Sequence, residues 1–277
     1  MAQQQALRRL RPRGLTEPTL PLAYYSVSAK EAFWSEHWGG HTVAELLAIA
    51  RTSPLTDLIC ATLPRGGPVL EAGCGLGQYV LLGRERGWPV VGVDWSHPAL
   101  VACRRVAAVP LAVMELRALA VRDGVLAAYV SLGVVEHDEA GPDALLSEAR
   151  RVLGPGGVAL VSVPYLNGAR CLAAPIIRRR NRAIARDGGR FYQYAFSRRE
   201  LVSALARNGF ATRALHPYDP ARLLRRAFGA HRPAPTPDGA APPHRARGVE
   251  ALARRLLYTE PSLRLLGHML LAVAVKR

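Results

Sequence analysis

Apolar residues in this chain gather in short valine-rich runs, Pro68–Ala72, Val90–Asp94, Ala127–Leu132 and Val158–Val163, each separated from the next by a stretch long enough for a helix. Strand alternating with helix predicts an α/β fold with a parallel sheet, whose strands read as unbroken apolar runs because helices cover both faces. Two more candidate strands, Ala211–His216 and His268–Val275, continue the pattern. Ser/Thr-x-x-Glu boxes predict helix starts at Ser28–Glu31, Thr42–Glu45 and Ser197–Glu200, where the hydroxyl caps a backbone N–H and the glutamate returns the bond. The last of these helices has a stop at Asn208-Gly209, since glycine takes the left-handed conformation that ends a helix. The Pro- and Arg-rich segment Pro217–Arg247 breaks the rhythm and reads as an insertion before the final strand.

At 277 residues and 49% hydrophobic, the chain can bury one large core. Cys60, Cys74, Cys103 and Cys171 show no paired spacing, so neither a disulfide framework nor a zinc site is expected, and a reducing, cytoplasmic setting fits best. The longest uncharged apolar run, Leu265–Val275, is shorter than the roughly 20 residues of a membrane-spanning helix. Residues 1–22 read as a disordered leader, with arginines but no signal-peptide core. The net charge is +16, and since only Lys30 and Lys276 are lysine among 37 basic residues, 35 are arginine. That bias has two readings: codon usage in an Ala-, Gly- and Pro-rich chain, or an anionic partner.

The most informative residues are Val69-Leu-Glu-Ala-Gly-Cys-Gly-Leu-Gly-Gln, an E-x-G-x-G-x-G at the end of the first strand of the main pattern. Alternating glycines let the backbone turn sharply and approach a ligand. A dinucleotide fingerprint needs G-x-G-x-x-G to bring a helix N-terminus to a pyrophosphate, and Gln78 stands where its last glycine belongs. The spacing therefore favours a ligand without phosphate. About twenty residues on, Val90-Val-Gly-Val-Asp ends in Asp94, where a carboxylate can accept both hydroxyls of a ribose. Trp95 follows, either against an adenine face or in the core.

Read with Gly133-Val-Val-Glu-His and Arg150-Arg-Val-Leu-Gly-Pro-Gly-Gly, these residues resemble the class I S-adenosylmethionine-dependent methyltransferases, in particular the small-molecule and lipid-precursor enzymes, from about Tyr24 to Arg277. The resemblance implies a Rossmann-like, doubly wound sheet of seven strands, mostly parallel with an antiparallel last strand. It further implies S-adenosylmethionine as cofactor. Glu71 would orient the glycine loop, Gly73, Cys74, Gly75 and Gly77 would wrap the methionine part, and Asp94 would hold the ribose. Glu115 and Leu116 would meet the adenine, and Leu132 or Gly133 would line the methionine side. The chain departs from the family pattern at Glu115-Leu-Arg, where an aspartate followed by Leu-Pro-Phe is usual, and at Ala127, where an aspartate is usual.

Methyl transfer needs an aligned acceptor, and a base if that acceptor carries a proton. His137 is the base candidate, the alternative being a histidine that fixes the local turn. His37 and His41 are four apart, but Gly39-Gly40 interrupts them and no third ligand is evident, so no metal is expected. Tyr24, Tyr25, Phe33, Trp34 and Trp38 precede the first strand of the main pattern and are expected either to cover the cofactor or to pack in a core, with lid helices expected over residues 28–62. The methyltransferase domain is expected over 23–277, with an acceptor-covering insertion at 165–196 and the Pro/Arg-rich insertion at 217–262. Within the first insertion, Arg178, Arg179, Arg180 and Arg182 are either a solvated face or a contact for an anionic acceptor or membrane surface. The acceptor is expected to be a small or lipid-like molecule, with RNA or DNA the less favoured partner because no Asn/Asp-Pro-Pro-aromatic tetrad stands at Ser131-Leu-Gly-Val. A cofactor-binding protein without transfer activity is the further alternative.

Overall fold

A computed structural model describes residues 21–28, 38–220 and 255–277. Most of the expected leader therefore lies outside the described residues, as do Glu31, Phe33, Trp34 and His37 and most of the Pro/Arg-rich insertion. The chain runs β1 (Leu22–Ser26), α1 (Val43–Arg51), α2 (Pro54–Thr62), β2 (Val69–Ala72), α3 (Gln78–Glu85), β3 (Val90–Asp94), α4 (His97–Val106), β4 (Leu111–Val113) and β5 (Leu126–Leu132). A short 3-10 turn (Val135–His137) leads to α5 (Asp143–Val152), β6 (Leu153–Pro164), α6 (Gly168–Arg186), β7 (Arg190–Ala195), α7 (Arg198–Arg207), β8 (Phe210–Tyr218), α8 (Glu260–Leu266) and β9 (Met269–Lys276).

Seven strands form one sheet in the order β4-β3-β2-β5-β6-β9-β8. β9 runs antiparallel to both of its neighbours, β6 and β8, as expected for the last strand. The predicted helix starts at Thr42 and Ser197 are both complete capping boxes, with side chain and glutamate bonds in place. Gly209 holds a φ of 77° at the stop of α7. Each face of the sheet has its own core. Val43, Leu47, Ile59, Val80, Leu100 and Cys103 bring α1 to α4 onto one side, and Leu145, Leu146, Val152, Leu201 and Leu205 bring α5 and α7 onto the other. The sheet order reverses between β2 and β5, and the crevice at the carboxyl ends of such neighbouring strands is where open α/β sheets bind ligands.

The segment after β6 is more ordered than its composition suggests. α6 is a 19-residue helix, and β7 returns to pair with β1 in a separate two-stranded antiparallel ribbon. Buried Asn181 of α6 fastens that ribbon, donating to the Ala23 carbonyl and accepting from the Tyr25 amide. β8 extends through Tyr218, so the second insertion begins after Pro217 and Tyr218 have joined the sheet, and its far end is α8.

Candidate functional site

The loop after β2 is built from residues that only glycine can supply. Gly73, Gly75 and Gly77 have φ of 76°, 53° and 73°, a region where a Cβ clashes with the backbone. Space is short as well: a Cβ on Gly73 would meet Val134 at 2.5 Å, one on Gly75 the Trp38 ring at 2.4 Å, and one on Gly77 the Cys103 sulfur at 2.5 Å. The loop is thus enclosed by Val134, by α4 and by Trp38. Trp38 is half-buried and packs on the α1–α4 core, so it covers the loop and joins a core at once.

Two carboxylates organise this cradle. The Val80 amide in the first turn of α3 donates to Glu71, whose Oε2 is buried with no partner. Burial, reinforced by nearby Asp94, pushes the Glu71 carboxyl up to about 8. Asp94 accepts the Gly75 amide at Oδ2 and the Ser96 amide at Oδ1, both at 2.8 Å. Burial also raises its affinity for a proton, against those backbone bonds. The Trp95 amide also bonds Asp94, so beyond three backbone bonds the carboxylate keeps acceptor capacity for a ribose hydroxyl. Cys74 turns its sulfur beneath Gly92, so only its backbone faces the loop side. Trp95 is 53% exposed, which removes the core-packing alternative. Glu115 is exposed and accepts the Arg117 amide, while Leu116 is half-buried against the core.

Across the crevice, Leu132 ends β5 and Gly133 follows it with a φ of 74°. Sequence reasoning did not single out Glu136. It is 2% exposed, its Oε2 is buried without a partner, and Oε1 lies 3.6 Å from where a Gly133 Cβ would stand. Burial pushes its carboxyl up to about 8. The signal was available: a glutamate in the turn just past an apolar strand, preceded by two valines and followed by a histidine, has little room to reach water. His137 Nδ1 lies 2.7 Å from the Tyr192 carbonyl and Nε2 lies 3.9 Å from Glu136 Oε1. The β1–β7 ribbon covers this turn with aromatic rings: His137 and Tyr192 meet at 5.3 Å, Phe191 and Tyr194 at 4.6 Å, Tyr25 and Phe191 at 6.2 Å. The Tyr194 hydroxyl donates to the Glu139 carbonyl and closes the ribbon over the turn. Buried Ser162 and half-buried Tyr218 share a hydrogen bond at 2.6 Å one strand further along.

The structure therefore brings the glycine loop, Asp94, Leu132, Gly133, Glu136 and His137 to one carboxyl edge. The residues fit an adenosyl ligand with an amino acid tail: a loop whose alternate residues lack side chains, a carboxylate with acceptor capacity beside it, and Gln78 where a pyrophosphate-binding loop has its last glycine. Among the described residues, no helix is long and apolar enough to cross a membrane.

A sequence model of the family described as methyltransferase domain matches residues 41–215. The chain is 32% identical over 161 residues to the tRNA (carboxymethyluridine(34)-5-O)-methyltransferase ALKBH8 of Mus musculus, covering 55% of this chain and 23% of that protein. It is 34% identical over 112 residues to the tRNA (carboxymethyluridine(34)-5-O)-methyltransferase of Arabidopsis thaliana, covering 40% and 27%. The chain thus spans about a quarter of the length of these relatives. Among solved structures it resembles geranyl diphosphate methyltransferase in complex with S-adenosylmethionine, with a TM-score of 0.57 at 16% identity over 95% of this chain and 100% of that one. An S-adenosylmethionine-dependent methyltransferase from Archaeoglobus fulgidus gives a TM-score of 0.55 at 16% identity over 90% and 100%. At such identity the likeness speaks for the fold.

Proposed function

We propose, from the premise that this chain belongs to the methyltransferase domain family and is an S-adenosylmethionine-dependent methyltransferase, that it methylates a small or lipid-like acceptor held between the end of β5 and the β1–β7 ribbon. The observation that carries this reading is the position of His137 and Glu136 under an aromatic ribbon, at the same sheet edge as the glycine loop and Asp94. The cofactor, when bound, supplies a methyl group activated on a sulfonium. Gly73, Cys74, Gly75 and Gly77 wrap its amino acid tail with backbone, Asp94 accepts from its ribose hydroxyls, and Glu71 ties the loop to the first turn of α3. Trp95 and Leu116 flank the adenine, and Leu132 and Gly133 line the methionine side. Trp38 covers the loop and excludes water, which strengthens each polar contact beneath it.

His137 takes the acceptor proton where there is one. A carbonyl can only accept, so Nδ1 carries the proton in the bond to Tyr192 and the lone pair of the neutral ring is at Nε2. Residues 165–196, as α6 and β7, cover the acceptor.

A second reading is supported by the curated relatives, which are named as tRNA methyltransferases, and by the arginine surplus: the acceptor is RNA. Incubation with methyl-labelled S-adenosylmethionine and either total tRNA or an extract of lipids and small metabolites separates the two. Label in the extract and none in tRNA is expected. Label in tRNA overturns the small-acceptor reading in favour of the second, and label in neither, from protein that binds the cofactor, overturns both.

A further inference from the structure

α6 presents to solvent a face that a soluble helix ordinarily hides. Leu172 is 82% exposed and Ile176 is 73% exposed, and a spacing of four puts them on one stripe. Ala183 falls on the same arc. Arg179, Arg182 and Arg186 follow beside it, Arg180 lies on its other flank, and all four are exposed. No acidic residue occurs from Gly168 to Arg186. The opposite face is fixed: Ala174 and Asn181 are buried, and Asn181 holds β1. The helix is therefore pinned along one side, with its apolar and cationic side turned outward.

The apolar surface continues beyond the helix. Leu265 of α8 lies against Gly168, the first residue of α6, and is 47% exposed. Scattered apolar side chains are ordinary on a protein surface, but a contiguous set rimmed by charge of one sign marks a contact face.

We propose that the outward face of α6, continued by α8, docks on an anionic lipid surface. The combination selects that partner. An RNA backbone rewards the arginines and gains nothing from leucine and isoleucine tips standing among them. A bilayer interface uses both, taking the aliphatic side chains into the acyl boundary while guanidinium groups stay at the level of the phosphates. The same helix fastens the β1–β7 ribbon through Asn181, so docking sets the covered edge of the sheet at the membrane surface. Docking is a property of the α6 surface, whichever acceptor the enzyme takes.

The test is co-sedimentation of the whole chain with vesicles of phosphatidylcholine, alone or mixed with phosphatidylglycerol. Because the net charge of +16 could by itself adsorb the protein, the charge change is controlled. Leu172→Glu/Ile176→Glu is compared with Val106→Glu/Val125→Glu, which adds the same charge at exposed apolar positions near the amino edge of the sheet. The expected result is binding to the mixed vesicles that falls about tenfold or more in the α6 variant and stays within about twofold in the control, since partition follows buried apolar area as well as charge. Arg179→Gln/Arg182→Gln/Arg186→Gln should also reduce it, with circular dichroism confirming that each variant is folded. Equal binding of the two glutamate variants overturns the proposal, as does wild-type protein that ignores both vesicles. Wild-type protein that binds total tRNA but no vesicle, and loses the tRNA in the α6 variant, makes the face an RNA contact and overturns it too.

Discussion

The Gly75 amide donates to Asp94 Oδ2 at 2.8 Å, and this bond joins the glycine loop after β2 to the tip of β3. Asp94 is thereby two things at once: the anchor of the loop, and the proposed acceptor for the ribose. Removing it leaves the Gly75 amide without its partner and the ligand without a charged acceptor, and bonds to ionised groups contribute more than neutral ones. Asp94→Ala should weaken S-adenosylmethionine binding about tenfold to hundredfold by calorimetry, at 1.5–3 kcal/mol for a charge-assisted bond. Unchanged affinity, or tighter binding of a nicotinamide dinucleotide, would move the site elsewhere.

Gly75 offers a sharper test, because conformation and space exclude a side chain independently. Gly75→Ala brings a Cβ to within 2.4 Å of the Trp38 ring at a φ of 53°. The cofactor should no longer bind measurably, and the displaced indole should alter the tryptophan emission. Adding Trp38→Ala removes the clash but not the left-handed strain, so the double variant should recover binding only in part. Full recovery would mean that strain at this glycine is unimportant, and undiminished binding in the single variant would place the ligand away from the loop.

The buried glutamates give a pH dependence opposite in sign to that of a salt-bridged carboxylate. Glu71 and Glu136 are both raised from 4.5 to about 8, chiefly by burial. Below about pH 4 the native and unfolded chains both hold these protons. As pH rises through 4.5 the unfolded chain releases them while the native chain keeps them, so stability falls, and the fall levels off only above about 8. Glu71→Gln and Glu136→Gln should each flatten the decline of Tm across that window relative to the wild type. Parallel Tm curves for wild type and both variants would show that these carboxyls are not held protonated by the fold.

Much of this architecture was legible in the sequence because its physics is local. The valine runs became β2, β3, β5 and β6 with shifts of a few residues at their ends, since strands buried on both faces need continuous apolar sequence. The glycine loop and Asp94 were readable because alternating glycines after a strand have few other uses. α6 was not readable as a helix, because its fixed side is little more than Ala174 and Asn181 and its remaining residues follow the solvent, not a core. β1 and β7 were hidden for a related reason: they are strands only through each other, across more than 160 residues. At the site, the cover of Trp38 over Gly75 and the bond from His137 to Tyr192 are tertiary facts with no periodicity to announce them.

His137 decides between chemistry and architecture, and an isosteric pair of substitutions can separate them. Its Nδ1 donates to the Tyr192 carbonyl at 2.7 Å, and that bond couples the turn after β5 to the β1–β7 ribbon. Asparagine presents an amide N–H near the position of Nδ1 and nothing near Nε2; glutamine does the reverse. If His137 only fixes the turn, His137→Asn keeps the bond and the activity, while His137→Gln loses both. If it is the proposed base, His137→Asn should lower kcat by about 10²- to 10⁴-fold with cofactor affinity unchanged, the range expected for loss of a positioned general base. The acidic limb of the pH–rate profile should vanish with it, because that limb records protonation of the base in the bound complex. Tm should stay near the wild-type value in His137→Asn and fall in His137→Gln, since only the latter frees the Tyr192 carbonyl. A His137→Asn enzyme of wild-type kcat would remove the base assignment and leave the histidine as a clasp between the turn and the ribbon.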